Sequence, residues 1–307
     1  KVFNPRVVFK TKYDAPVAGE VKGRVRERKV RVTIAAMTKL LHQGIDYDEK
    51  ASTTVQWPSI RLLLAYSVQH GLMIKLKDMQ SFYLCGNLNQ ENREIAMRQV
   101  KGFETVGKET WLCKILKGVY GLPHAGNLAQ AKLAKTLETQ FIRLTADDCV
   151  YRRRGKRLGE RGYIALGSHV DDLVCIGDSE GFAVLDKVLG TEFKVKSEDD
   201  PEIITGVQLI HDQKIGYAKL HMAAYIEGLM EKTGMTDCKS QAIPLDPGIP
   251  KGELPSKDAT PPDGPETLKL FQCILGMLLW PAVRVRPDIL FAVCFSDGSR
   301  RTPAKCR

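Results

Sequence analysis

The sequence predicts a mixed α and β protein, because hairpin-like and helix-like segments occur in one chain. In residues 163–177, two apolar runs bounded by glycine are typical of a buried antiparallel hairpin. Two β-branched runs, 7–9 and 30–34, predict another antiparallel pair around a turn-rich segment. Residues 57–69 predict a helix, with a proline in the first turn and a glycine just after the end.

The rest of the chain continues this mixture of elements. Helices are predicted at 129–141, 179–189, 222–233, 268–279 and 288–294, a strand at 192–196, and a Pro/Gly-rich linker at 244–265. A basic segment at 152–157 predicts a solvated loop or hairpin, with phosphate contact as the second interpretation.

Composition favours a globular protein with an anionic partner. The chain has 307 residues, is 43% hydrophobic and carries a formal charge of +10. That size and composition allow a sizeable core. Nucleic acid is the commonest partner of a basic domain, although charge alone leaves a membrane surface or a ribosomal setting open.

The cysteines and the hydropathy pattern indicate a soluble intracellular protein. Eight cysteines are scattered without any C-x-x-C pair, which argues against a zinc site and a disulfide framework. No early apolar segment resembles a signal peptide, and no apolar run approaches the ~18 residues of a membrane span. We also expect the sequence to be a piece of a longer protein.

Three aspartates indicate the chemistry of the predicted site. Asp171 and Asp172 lie between the two apolar runs of the predicted hairpin, where unpaired carboxylates would cost several kcal/mol and therefore need a cation. Taken alone, such a pair favours an ordinary turn in which the side chains bond their own backbone. Asp78, at the end of another predicted strand, adds a third carboxylate from a distant segment. Three carboxylates from two segments are typical of a two-metal phosphoryl-transfer centre.

The motifs in order resemble the reverse transcriptase domain of copia-type LTR retrotransposons. Residues 78–88 resemble the family's D-V-K-T-A-F-L-N-G-D-L, and residues 169–173 resemble Y-V-D-D-hydrophobic. Further landmarks are 44–47 (G-I-D-Y), 61–64 (R-x-L-L), 119–122 (L-Y-G-L) and 286–289 (R-P-D-I). The resemblance covers about residues 8–303.

The resemblance implies a right-hand polymerase fold, with an antiparallel palm sheet backed by helices. Fingers and palm would occupy 1–219, with fingers at about 1–74 and 89–125 and palm at about 75–88 and 126–219. A thumb-like helical region would occupy 220–307, and no RNase H or integrase domain is expected. Asp148 and Tyr151 resemble a structural element of the family in which an aspartate precedes a tyrosine, so the pair Asp147–Asp148 is interpreted as a turn and not as a ligand site.

The implied activity is RNA-directed DNA synthesis, in which a primer 3′-hydroxyl attacks the α-phosphate of a dNTP. Two Mg²⁺ ions, replaceable by Mn²⁺, would be held by Asp78, Asp171 and Asp172, with the Met79 carbonyl as a further oxygen. The implied partners are an RNA template, a DNA/RNA primer duplex, dNTPs and neighbouring polyprotein domains. The implied location is a cytoplasmic virus-like particle, with a nuclear phase as an option.

Further substrate contacts are implied by the same resemblance. Lys29 and Arg31 would touch the incoming triphosphate, although a solvated strand face is the alternative for any single residue of this cluster. The cluster consists of Lys22, Arg24, Arg26, Arg28, Lys29 and Arg31, and it lies between the predicted strands. Tyr83 would close off the 2′ side of the sugar, with an ordinary core tyrosine as the alternative.

Three residues depart from the family pattern. Phe82 replaces a small residue beside the sugar pocket, His124 replaces a glutamine near the nucleotide sugar, and His169 replaces the aromatic before V-D-D. An arginine and a tryptophan of the family motif are also missing. Losing one such group can cost ~10²-fold in rate, so a weakened or inactive nucleic-acid-binding remnant is the alternative. A metal nuclease is a third interpretation.

Overall fold

The computed structural model describes residues 2–13, 25–34, 41–42, 52–88, 94–245 and 264–298. The chain divides into two compact units, Lys1–Pro201 and Glu202–Arg307. Strands and helices are mixed in both units, and most strand pairs are antiparallel, which confirms the predicted α+β class. The predicted boundaries of fingers, palm and thumb remain predictions.

The first unit contains eleven strands and three α-helices among its described residues. The strands are β1 Val2–Phe3, β2 Pro5–Tyr13, β3 Val25–Ile34, β4 Met73–Met79, β5 Ala96–Arg98, β6 Leu112–Lys114, β7 Phe141–Leu144, β8 Asp147–Arg153, β9 Ile164–His169, β10 Asp172–Gly177 and β11 Val195–Asp199. The helices are α1 Trp57–His70, α2 Ala125–Leu137 and α3 Ser179–Gly190, with a short 3₁₀ helix at Phe82–Cys85.

A six-stranded antiparallel sheet forms the centre of this unit, in the order β11-β4-β10-β9-β8-β7. The predicted hairpin is its middle, since β9 and β10 are almost entirely buried. Both faces are covered, which is why these two strands are apolar runs and not alternating sequences.

Helices cover the two faces of the sheet. On one face, Leu173 and Cys175 join a buried cluster with residues of α2 and α3 such as Leu133 and Leu185. On the other face, a Cβ at Gly167 would meet Val55 and Leu63 of the α1 segment. Because side chains alternate along a strand, Asp172 lies on the face opposite to Leu173.

Helix α1 begins and ends as its sequence predicts. A proline occupies its first turn, and Gly71 ends it in the left-handed conformation, with φ of 59°. The Asp147 carboxylate supports its start by accepting hydrogen bonds from the Gln56 N–H at 2.9 Å and the Ser59 hydroxyl at 2.6 Å. Asp147 and Asp148 therefore begin β8, and the turn that we predicted at this pair is the preceding 145–146.

The hairpin of β2 and β3 contacts the rest of the unit at the Tyr120–Gly121 segment. The Ile34 N–H donates to the Tyr120 carbonyl at 2.9 Å. Gly121 adopts φ of +98°, and a Cβ there would collide with the Ile34 carbonyl oxygen. Glycine is thus required at this position by both conformation and space. Strands β1, β5 and β6 form a separate three-stranded sheet, in which β5 and β6 are antiparallel.

Several predicted boundaries were wrong. Helix α2 begins four residues earlier than predicted, because Gly126 fits inside it against Ser52 and Tyr83 instead of breaking it. It ends at Leu137, since Phe141 is fully buried as the first residue of β7. Strand β11 begins at Val195, because the chain turns at 191–192 after α3 and pairs with β4 only from Val195 onward. Arg26, Arg28, Lys29 and Arg31 lie within β3 and not between strands.

The second unit contains a small sheet followed by helices. Its elements are β12 Ile203–Ile204, β13 Val207–Asp212, β14 Tyr217–His221, α4 Ala223–Thr233, α5 Gly264–Arg284 and α6 Pro287–Gly298. The predicted helices are confirmed, whereas the three strands were not predicted. The Tyr225 hydroxyl donates to the Met277 carbonyl at 2.9 Å and so links α4 to α5. Among the described residues, no helix combines the length and apolarity that a membrane crossing needs.

Four sequence features fall outside the described residues. They are the turn-rich segment between the first two predicted strands, Lys22 and Arg24 of the basic cluster, the 44–47 motif, and most of the 244–265 linker.

Candidate metal and nucleotide site

The acidic hairpin is closed by a two-residue turn. His169 and Asp172 face each other at the ends of β9 and β10, and Val170 and Asp171 form the turn between them. Val170 adopts φ of 58°. Tight hairpin turns need such a conformation, but it costs a β-branched residue ~1–2 kcal/mol. The strained turn presents Asp171 at the exposed tip and Asp172 at the start of the strand.

Strand β4 brings the third aspartate to the same place. Asp78 is the direct partner of Asp172 in the β4–β10 ladder, so their Cα atoms are roughly 4.5–5.5 Å apart and their side chains share one face. The Met79 N–H donates to the Asp171 carbonyl at 2.8 Å. On the other side of Asp78, the partner in β11 is Lys196. The structure therefore joins the two distant acidic motifs.

The electrostatics of the three carboxylates show their proximity. Burial raises the pKa of Asp172 to about 6, and the charges of Asp171, Asp78 and Glu198 add to the shift. Two ionised carboxylates in close range disfavour a third. The cluster thus concentrates negative charge that a bound cation would offset.

The donor chemistry of this cluster fits a hard divalent cation. Carboxylate oxygens are the ligands that Mg²⁺ prefers, and Mg²⁺ usually takes only one or two of them beside water and phosphate oxygens. Within the described part of the chain, no three His, Cys, Asp or Glu side chains are close enough to form a ready-made metal site. Mutual repulsion opposes their convergence while no cation compensates it. Binding would therefore require the side chains to close around the ions.

An aromatic pair connects the acidic cluster to the β2–β3 hairpin. The Tyr83 ring lies 5.5 Å from the Tyr120 ring, centroid to centroid. Burial raises the pKa of Tyr83, and the Asp171 charge adds to this shift, which shows that the phenol and the carboxylate are near each other. The Arg31 guanidinium carbon lies 5.2 Å from the centre of the Tyr120 ring. Arg31, Tyr120 and Tyr83 thus form a row of contacting side chains on the side of the acidic cluster.

Comparison with known proteins identifies the family. The family model described as "Reverse transcriptase (RNA-dependent DNA polymerase)" matches residues 1–247. The chain belongs to this family.

Curated relatives of this reverse transcriptase domain are plant retrotransposon proteins. It is 29% identical over 300 residues to the retrovirus-related Pol polyprotein from transposon TNT 1-94 of Nicotiana tabacum, which covers 97% of the chain and 22% of that relative. It is 27% identical over 294 residues to the Pol polyprotein from transposon RE1 of Arabidopsis thaliana, which covers 94% of the chain and 18% of the relative. The chain thus spans about a fifth of the length of these relatives. The predicted resemblance to copia-type reverse transcriptases is confirmed.

Two of the departing residues in the reverse transcriptase domain are buried. Phe82 is 1% exposed, belongs to the core under the sheet, and packs with its ring centroid 6.4 Å from that of Phe193. His124 is also 1% exposed and lies at the N-terminus of α2. Both side chains therefore pack inside the protein, with the Phe82 ring centroid 6.2 Å from that of Tyr83, and their effect on substrate binding stays a prediction. His169 is partly exposed and lies next to Asp172 in the ladder.

The predicted basic contacts differ in their availability. The Lys29 ammonium lies 3.3 Å from the Glu27 carboxylate of the same strand. Arg31 is exposed, with its guanidinium over Tyr120. In the β8–β9 hairpin, Arg153 donates to the Gly162 carbonyl at 2.9 Å, and Arg154 donates to the Glu138 carbonyl at 3.1 Å. The last two arginines thus bind the protein itself.

Sequence reasoning missed the role of Tyr120 in this site. Its motif at 119–122 was used only as a family landmark. No pattern of spacing reveals that its ring contacts both Tyr83 and Arg31, because these three residues come from separate segments. The available signal was the glycine that follows it, since Gly121 permits the close approach of the Ile34 strand.

Proposed function

We propose that this domain is an RNA-directed DNA polymerase that transfers nucleotides from dNTPs to a primer 3′-hydroxyl. The observation that carries the proposal is the pairing of Asp78 with Asp172 beside the hydrogen bond from Met79 to Asp171. The backbones of the two distant acidic motifs thus meet at neighbouring strand ends in the middle of the sheet. Closure of the three carboxylates around cations would supply the charge compensation that phosphoryl transfer needs.

Two divalent cations, Mg²⁺ or Mn²⁺, would be held by Asp78 and Asp171, with Asp172 as a supporting ligand and the Met79 carbonyl as a further oxygen. When bound, they supply a lowered pKa for the primer hydroxyl and compensation of charge on the pyrophosphate. The protein would contribute these oxygens from the ends of β4 and β10, whose backbones the ladder holds side by side.

The row of side chains next to the acids would bind the nucleotide. Arg31, exposed above Tyr120, can form charge-assisted hydrogen bonds with the triphosphate, and Lys29 on the same strand can add charge. Tyr83 would close the 2′ side of the sugar, because its ring is fixed between Tyr120 and the α2 residue Gly126. A ring held in this way can exclude a ribose hydroxyl by contact.

The proposal extends to the architecture and the partners. The six-stranded sheet would be the palm, the β2–β3 hairpin and the β1-β5-β6 sheet would belong to the fingers, and the second unit would supply the thumb. RNA template, primer duplex and dNTPs would be the substrates. The relatives are Pol polyproteins, so we expect the domain to work beside other polyprotein domains in an intracellular particle.

Primer extension on poly(rA)/oligo(dT) with Mg²⁺ or Mn²⁺ tests the proposal. We expect dTTP incorporation by the native chain and its loss by at least ~10²-fold in Asp171→Asn, with template–primer binding retained. Asp148→Asn, which changes an exposed acid at the start of β8, is the matched control and should extend normally. No extension by the native chain would favour a binding remnant, and a shortened primer would favour a nuclease.

A further inference from the structure

Helices α2 and α3 border a groove with a volume of about 840 Å³. Its walls include the last turns of both helices and the segment around Lys117. These helices cover the sheet face that carries Leu173, whereas Asp78 and Asp172 lie on the opposite face. The groove is therefore separate from the candidate metal site.

The groove is strongly basic. Its lining includes five cationic side chains, and Glu192 is the single carboxylate among the lining residues that the structure describes; the cations are Lys117, Lys132, Lys135, Arg153 and Lys187. The excess of positive charge in a concave surface raises the local concentration of anions.

Two of these cations are already neutralised within the protein. The Lys132 ammonium lies 2.8 Å from the Glu192 carboxylate, and Arg153 lies 3.2 Å from Glu180. Lys117, Lys135 and Lys187 are exposed and form no ion pair within the described ranges. Three ammonium groups are thus available to a ligand from three different segments.

Stabilisation of the helices alone does not account for this arrangement. Lys135 and Lys187 lie in the last turns of α2 and α3, where a cation interacts favourably with the helix dipole. That effect requires neither a concave surface nor Lys117, which precedes α2 and belongs to no helix. The convergence of all three on one groove points to an anionic ligand.

The other lining residues restrict the chemistry of that ligand. No aromatic ring lines the described groove, so stacking of bases or docking of a hydrophobic peptide anchor has no partner there. The hydroxyls of Thr136, Thr139 and Thr191 donate to helix carbonyls, at 3.0, 2.8 and 2.8 Å. The remaining donors are mainly ammonium groups, which pair with phosphate as point charges.

We propose that this groove binds the sugar-phosphate backbone of a single nucleic-acid strand without reading its bases. A single strand follows a narrow basic groove, whereas a duplex is too wide to enter one of this volume. Nucleic acid is favoured over an acidic polypeptide because the chain belongs to a family of RNA-dependent polymerases. The inference does not depend on catalytic activity of this chain.

A cysteine in the groove provides a direct measurement. Cys85 lines the groove and is half-buried, and burial raises the pKa of its thiol, while Lys132 and Lys117 partly oppose that shift. Alkylation by N-ethylmaleimide can be followed by mass spectrometry at each cysteine. In the Asp171→Asn protein, oligo(rU) of about 15 nucleotides should slow alkylation of Cys85 at least about fivefold at low salt. Exposed Cys238 serves as the internal reference and should react unchanged.

A charge-neutralising triple variant tests which residues are responsible. We expect Lys117→Gln, Lys135→Gln and Lys187→Gln together to abolish the protection and to lower the slope of log affinity against log salt by about 2, since three phosphate contacts are lost at ~0.7 each. The matched control changes Lys156, Lys214 and Lys239 to Gln. It should keep both the protection of Cys85 and the salt dependence of binding. Circular dichroism melts check that each variant folds.

The other results of these experiments also test the groove proposal. Unprotected Cys85, or equal loss of binding in both triple variants, would overturn the groove proposal. Protection by poly-glutamate but not by oligo(rU) would also overturn it and indicate an acidic protein partner. Failure of the native chain in primer extension, together with protection of Cys85, would refute the polymerase function and leave the groove proposal intact.

Discussion

The environment of Asp172 should make the stability of the protein depend on pH. Its pKa is raised to about 6 by burial and by the neighbouring carboxylates, so the folded state binds a proton that the unfolded state has already released. The unfolding free energy therefore falls as the pH rises from about 4 through 6. Above about pH 6, Asp172 is ionised in the folded state, and the free-energy cost of its partly buried charge then lowers stability in full.

Asp172→Asn should stabilise the protein in metal-free buffer at pH 8 by about 1–2 kcal/mol, after allowance for partial exposure. At pH 4 the difference from the native chain should be much smaller, because Asp172 then stays protonated in the folded state and is only partly ionised in the unfolded state. Thermal melts with EDTA at the two pH values provide the measurement. Asp148→Asn should show no such pH-dependent difference, and an equal gain at both pH values for Asp172→Asn would contradict the assigned pKa.

Tyr120 should control nucleotide affinity, because it holds both the Tyr83 ring and the Arg31 guanidinium. Losing a cation–π contact and an aromatic pair removes roughly 1–2 kcal/mol, so Tyr120→Ala should raise the KM for dTTP about tenfold with little change in kcat. Tyr120→Phe keeps the ring and should behave as the native chain does. A fall in kcat at constant KM would instead assign Tyr120 to the chemical step.

At the scale of the elements, the local signals predicted some parts of the fold and not others. The β9–β10 hairpin, β4, α1 and α3 have clear apolar runs or caps, and the structure confirms them. Strand β8 was missed because only three apolar residues lie between an acidic pair and a basic run. Its pairing with β7 and β9 decides its conformation, and such long-range pairing leaves no local pattern.

The candidate site was likewise predicted only in part from the sequence. Family motifs placed Asp78, Asp171 and Asp172, but the register that sets Asp78 opposite Asp172 is a property of the folded sheet. The burial of Phe82 and His124 likewise depends on how α2 packs, which their positions in a motif do not reveal.

The start of α1 should depend on Asp147. Its carboxylate accepts hydrogen bonds from the Gln56 N–H, the Ser59 hydroxyl and the Cys149 N–H, and it is 7% exposed. Asp147→Ala leaves these donors without their acceptor and should lower the unfolding free energy by about 1–3 kcal/mol. Urea unfolding at pH 7 measures the loss. Asp148→Ala, next to it but exposed, should change stability by less than ~0.5 kcal/mol, and equal effects of both substitutions would refute the capping role.

At the scale of the whole molecule, the first unit contains two candidate binding sites of opposite charge. The candidate metal site and the basic groove lie on opposite faces of the same six-stranded sheet, and both consist of residues from the first unit. The acidic site would bind cations with the primer and nucleotide, and the basic groove would bind a strand by its phosphates. The formal charge of +10 is consistent with an overall preference for polyanions.

The central claim is that two distant segments hold the same metal ions, and iron-directed cleavage tests it without requiring catalysis. Fe²⁺ substituted for Mg²⁺ produces hydroxyl radicals that cut the chain near the ion when ascorbate and peroxide are added. We predict cuts near residue 78 and near residue 171 in the same protein, suppressed by excess Mg²⁺ and lost in Asp78→Asn but not in Asp148→Asn. Cleavage near only one of the two motifs, or cleavage that excess Mg²⁺ leaves unchanged, would contradict the account.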